Sequence, residues 1–206
     1  NTERKPMTLV LFEMALSHLT RVLRIIKNPR GNALLIGIGG SGKQSLTKLA
    51  SYTSGYSLFE LTLSRGYGES DFREELKELY SQLAVKPVTF LFTDAHVVEE
   101  GFLEFINNML TTGIQPALFA SDEKDAMINK IRGMAKEQGV PETPDNLWNF
   151  FVNTCRNNLH IVLAMSPSGE KLRVRCRNFP GLISACMIDW FFSWPEDALQ
   201  KVARYF

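Results

Sequence analysis

Gly37-Ile38-Gly39-Gly40-Ser41-Gly42-Lys43-Gln44-Ser45 is a glycine-rich loop set between two runs of opposite character. The apolar run Ala33-Leu34-Leu35-Ile36 leads into it, and Ser45-Leu46-Thr47-Lys48-Leu49-Ala50 leaves it with helical character. A strand, a G-x-x-x-x-G-K loop and a helix in that order make a phosphate cradle. The glycines let the backbone fold so that its N–H groups converge on an anion. The N-terminus of the following helix adds partial positive charge. Lys43 is placed to reach the terminal phosphates, and every residue from Gly37 to Ser45 is a nucleotide-binding candidate. The next position usually carries Ser or Thr, whose hydroxyl ligates magnesium. Here it is Gln44, so the expected ligand is ATP or ADP with a weakened place for Mg²⁺.

Working outward, apolar residues at helical spacing (Leu16, Leu19, Val22, Leu23, Ile26) predict an amphipathic helix over Leu9 to Ile26, ended by Pro29-Arg30-Gly31-Asn32. The strand after it runs from Ala33 to Ile38, and the helix after the loop reaches about Thr53, with Gly55 as its stop. Ser57 to Leu63 alternates like a strand, and Glu69 to Ala84 like a helix. Val88 to Phe92 and Ile161 to Met165 are apolar on both faces, which suits central parallel strands. Gly101 to Thr112 and Asn146 to Asn158 read as helices, with a polar excursion between them carrying a helix near Lys124 to Lys136. Lys171 to Arg177 reads as a basic loop, and Met187 to Phe191 as a last strand. Ser193-Trp194-Pro195-Glu196 has capping-box spacing, with Pro in the first turn of a final helix. Strands alternating with helices predict an α/β fold of three layers, a parallel sheet with helices on both faces. Ligands in such sheets bind at the carboxyl ends of the strands.

A phosphate cradle needs acids at the end of a second buried strand. The strand Val88 to Phe92 ends in Thr93-Asp94-Ala95, where many ATPases of this loop type carry two adjacent acids. Thr93 stands at the metal position and can hold a metal only through water. Asp94 stands at the position of the base, one methylene shorter than Glu. Gln44 and Thr93 therefore weaken the magnesium site from the same side. The competing reading of Thr93-Asp94 is a strand-end turn that caps the next helix.

Composition narrows the class. The 206 residues are 45% hydrophobic and 22% charged with a net charge of +1, which fits a globular chain with a full core. No global field points to nucleic acid or a membrane surface, and no apolar run is long enough to span a bilayer. The three cysteines fit no zinc spacing and read as reduced thiols of an intracellular protein. His18, His96 and His160 are scattered and suggest no shared site. The polar start without an initiator Met, and an end within a helical pattern, read as a piece of a longer chain.

Several stretches together resemble an AAA+ module of the dynein heavy chains, the fourth in the motor ring and of axonemal type. They are Leu9 to Glu13 with Pro29 to Leu35, the loop with Lys43-Gln44-Ser45-Leu46, and Thr93-Asp94-Ala95 followed by Phe102-Leu103, Ile106-Asn107 and Pro116 to Phe119. Arg173 to Pro180, Ile188-Asp189-Trp190-Phe191 and Trp194-Pro195 complete the set. The resemblance implies a five-stranded P-loop large subdomain over residues 1–192, with 193–206 starting the helical lid. It implies that Ser166 stands where a polar residue senses the γ-phosphate, and that Leu9 and Val10 line the adenine pocket. It also implies an arginine reaching a neighbouring module's nucleotide in trans, with Arg175 the first candidate and Arg177 the second. The implied partners are neighbouring AAA+ modules, then microtubules and dynein intermediate and light chains through the full-length protein, in the axoneme of a cilium or flagellum. Three functions stay open: a regulatory ATP site with weak or no hydrolysis, an active ATPase with Asp94 as base and Ser45 replacing Gln44 at the metal, and a scaffold that only packs.

Overall fold

A computed structural model describes residues 10–205. Five strands, β1 (Ala33–Gly37), β2 (Ser57–Phe59), β3 (Val88–Thr93), β4 (Leu159–Met165) and β5 (Met187–Phe191), form one parallel sheet in the order β2-β3-β4-β1-β5. β4 is thus inserted between β1 and β3, with Leu34 opposite Leu163 and Leu91 opposite Val162. The loop after β1 and the turn after β3 consequently flank the end of β4.

The strand alternation sorts side chains into two layers. Leu34, Ile36, Phe90, Phe92, Ile161 and Leu163 face one way, onto α3 (Glu69–Leu83), α4 (Phe102–Thr112), α5 (Ser121–Glu137) and α6 (Pro144–Asn158). Ala33, Leu35, Leu91, Val162 and Ala164 face the other way, onto α1 (Glu13–Lys27) and α2 (Lys43–Ser54). β1, β3 and β4 are buried along their whole length, as their largely apolar runs require. The expected three-layer α/β architecture is the one observed.

Four expectations need correction. The strand expected over Ser57 to Leu63 stops at Phe59, and beyond it the Thr62 N–H donates to the Glu75 carboxylate (3.1 Å) and not to a ladder. α1 begins at Glu13, so Val10 to Phe12 runs outside the helix, and Leu9 lies outside the described residues. The basic segment is a helix, α7 (Lys171–Asn178), with Val174 N–H on Glu170 O and Phe179 N–H on Arg175 O, and not a loop. Lys, Leu and Arg are good helix formers, and a charge run at the surface does not oppose a helix. A short α8 (Gly181–Ser184) follows it. In α9 (Glu196–Tyr205) the first helical carbonyl is that of Pro195, accepting from Leu199 at 3.1 Å. Pro195 thus precedes the helix.

Candidate nucleotide-binding site

The loop after β1 has the backbone its glycines permit. Gly40 and Gly42 sit at φ +76 and +91, a region costly to residues with a Cβ. Gly42 is the N-cap of α2, and Lys43 is the first helical residue. The Lys43 Nζ donates to the carbonyls of Gly37 (2.6 Å) and Ile38 (2.8 Å) and lies 3.1 Å from Ser41 Oγ. Burial lowers the Lys43 pKa, and the charge of Asp94 opposes that shift. A cavity of about 430 Å³ runs from the loop to an apolar wall that includes Val10, Phe12, Phe191 and Trp194. Trp194 packs edge-on against Phe12 and donates its Nε1–H to the Ser41 carbonyl (3.3 Å), so the segment leading into α9 is tied to the loop.

Across from the loop, β3 ends at the buried Thr93 and the chain enters one 3₁₀ turn, Asp94–His96. The Thr93 N–H donates to His96 Nδ1 at 3.2 Å, so this is a strand-end turn and also the place where Asp94 is presented. The Ser166 N–H, just past β4, donates to Asp94 Oδ2 at 2.6 Å. The Ser166 hydroxyl is engaged with Ser168 Oγ at 2.9 Å. Arg175 from α7 puts Nη1 on Asp94 Oδ1 (2.8 Å) and Nη2 on Glu100 Oε1 (2.7 Å). Its guanidinium is held above its ordinary pKa, first by the hydrogen bonds to Glu100 and also by Asp94.

The sequence profile described as P-loop containing dynein motor region D4 matches residues 7–206. The chain belongs to that family. Over 208 aligned residues, covering all of it, the chain is 58% identical to the dynein-1-alpha heavy chain of the flagellar inner arm I1 complex of Chlamydomonas reinhardtii. It is 56% identical to dynein axonemal heavy chain 10 of Homo sapiens, again along its whole length. It spans only 4% and 5% of those two heavy chains. Among solved structures, the S. cerevisiae Hsp104–ADP complex superposes on 96% of the chain and 24% of its own, with a TM-score of 0.54 and 13% identity. At that identity the likeness shows the fold alone.

In this D4 module the structure brings Lys43, Asp94, Ser166 and Arg175 to one end of the sheet. Gln44 is exposed in the first turn of α2, Ser45 is half-buried behind it, and Arg177 is exposed on α7. The loop fits a nucleotide's phosphates: left-handed glycines, a helix N-terminus and a lysine converge beside an apolar-walled cavity. The magnesium side fits less well. Mg²⁺ is ordinarily held by one or two carboxylates plus phosphate oxygens. The strand-end position is the neutral Thr93, and both oxygens of Asp94 already hold donors.

Sequence reasoning missed three participants. Glu100 holds the second edge of Arg175. Trp194 touches the loop itself. His18 of α1, dismissed as scattered, lies in the cavity wall, stacked on Phe191 (3.9 Å between ring centres) with Nδ1 2.7 Å from the buried Asp189. Asp189 was the available signal, since an acid inside an apolar strand needs a partner.

Proposed function

We propose that this chain is a regulatory nucleotide-binding module of an axonemal dynein heavy chain, taking ATP or ADP and hydrolysing weakly or not at all. The observation that carries this reading is a complete phosphate cradle facing a strand end at which Thr93 replaces a carboxylate. In it the loop amides, the α2 N-terminus and Lys43 bind the phosphates, and the wall of Val10, Phe12 and Trp194 excludes water around the base. Mg²⁺ arrives with the phosphates and gains at most water-mediated support from Gln44 and Thr93. Loss of a positioned general base alone slows a reaction about 10²–10⁴-fold.

Nucleotide occupancy then sets how the module, residues 1–192 with its lid beginning at 193–206, packs on neighbouring AAA+ modules. Such coupling requires different affinities in two ring states. Arg177, exposed on α7, is available to a neighbouring site. Microtubules and intermediate and light chains would be met by the whole heavy chain, in the ciliary or flagellar axoneme, in keeping with the names of its relatives. An active ATPase is the second reading, favoured by Asp94 lying close enough to Lys43 to act on its charge.

Single-turnover ATP hydrolysis beside a nucleotide titration, with Lys43→Ala as control, separates these readings. Binding lost in the control with no ADP formed supports the regulatory site. Clear Lys43-dependent turnover supports the active ATPase, and no binding at all leaves a scaffold.

A further inference from the structure

We propose that Arg175 acts within its own module as a brake on Asp94, holding the carboxylate at the end of β3 out of the role of general base. The inference rests on the nucleotide-site reading above and assigns a mechanism to its weak hydrolysis. A base must bring an oxygen lone pair within about 2.6–3.2 Å of the attacking water, and each donor already on a carboxylate occupies one of its lone pairs and favours the charged form, which weakens it as a base. Asp94 Oδ1 receives the Arg175 guanidinium at 2.8 Å, and Oδ2 receives the Ser166 N–H at 2.6 Å. The backbone donor is a fixture of the β4 end, so the arginine is the removable contact.

Arg175 is poorly placed to leave. Nε lies 3.2 Å from each Glu100 oxygen, Nη2 lies 2.7 Å from Oε1, and Nη1 is on Asp94. Charge-assisted contacts on two edges of a planar fork are the strong kind. The side chain is only 10% exposed. Residues two apart on a helix point about 200° apart, so Arg173 and Arg177 stand on the opposite, exposed side of α7. Reaching a neighbour's nucleotide would require Arg175 to break both carboxylate contacts, whereas Arg177 breaks none that the structure shows. Glu100 is thereby a positioning residue for Arg175, and Arg175 is one for Asp94.

The test uses the heavy chain that carries this module. ATP turnover and bound nucleotide are each counted as the part that Lys43→Ala removes, which isolates this site. Asp94 and Glu100 side chains are 41% and 63% exposed, so water can solvate both when the arginine is replaced and the fold persists. Arg175→Gln is expected to raise Lys43-dependent turnover at least about tenfold, a modest part of what a positioned base supplies. Adding Asp94→Asn should cancel the gain, which no purely structural role for Arg175 explains. Arg175→Lys, able to meet Asp94 but not to bridge both acids, should fall between, and Glu100→Gln should give a smaller rise. Unchanged or slower turnover in Arg175→Gln, with nucleotide still bound, overturns the brake and leaves the nucleotide site standing. Wild-type nucleotide binding that does not depend on Lys43 overturns the site itself, and the brake with it.

Discussion

Gly37→Ala and Gly39→Ala make the same chemical change two residues apart, and the structure gives them opposite outcomes. A Cβ on Gly37 would lie 2.6 Å from both the Cβ and the carbonyl oxygen of Phe191, and 3.0 Å from Ser41 Oγ. Two of those atoms belong to the backbone and Cβ of β5, which pairs in register with β1 at this point. No rotamer change relieves them, so either β5 or the loop must move. Overpacking of this kind costs about 1–3 kcal/mol. For a chain of this size each kcal/mol shifts the melting temperature by about 2–4 °C, so the expected drop is roughly 2–12 °C. Because Gly37 opens the phosphate loop and Ser41 lies within it, nucleotide affinity should fall as well. A Cβ on Gly39 meets nothing within 4 Å. That variant should stay within about 0.5 kcal/mol of wild type, as surface changes do. Thermal unfolding by circular dichroism and displacement of a fluorescent nucleotide read both effects. Equal melting temperatures for the two variants would refute the close approach of β5 to the loop, and with it the cavity wall built on Phe191.

Two further outcomes follow from buried groups. Asp189→Ala should cost about 1–3 kcal/mol in urea unfolding, because it strands a ring nitrogen of the buried His18 without its hydrogen-bond partner, whereas Arg21→Ala should cost under about 1 kcal/mol, since that side chain is 58% exposed; similar losses for both would mean that His18 is not held by Asp189. Burial lowers the pKa of His96 and of His160 from the ordinary 6.5. Below pH 6.5 the unfolded chain therefore binds more protons than the native one, so stability should fall as pH drops from about 6.5 toward the lowered native values. Urea midpoints at pH 7.5 and 5.5 check this, and a slope left unchanged by His160→Gln would remove His160 from the account.

Much of the architecture could be read from local pattern. Val88 to Phe92, but for Thr89, and Ile161 to Met165 are apolar, and only a strand covered on both faces can bury such a run. The loop was legible for a similar reason: glycines at Gly40 and Gly42 meet a backbone requirement that is encoded residue by residue. Boundaries were less legible where a distant side chain intervened. Glu75 holds the Thr62 amide just past β2, and Trp194, before α9, is tied to Ser41. Neither partner is near in sequence, and propensity carries no information about such contacts.

The roles within the site divide along the same line. A phosphate cradle is a property of consecutive amides, so its residues are adjacent and their spacing announces them. Ion pairs join side chains from separate elements, and nothing in a single sequence says which acid an arginine will meet. Arg175 read as one charge in a basic run, open to a neighbour. The fold lays α7 against the β3 end and the helix periodicity turns this one arginine inward, onto an acid 81 residues away and a second one 75 residues away. His18 and Asp189, 171 residues apart, meet because β5 lies at the edge of the sheet beside β1, with α1 covering that face. Ligand class was therefore written in the local backbone, while the disposition of the charges around it arose from packing between elements distant in the chain.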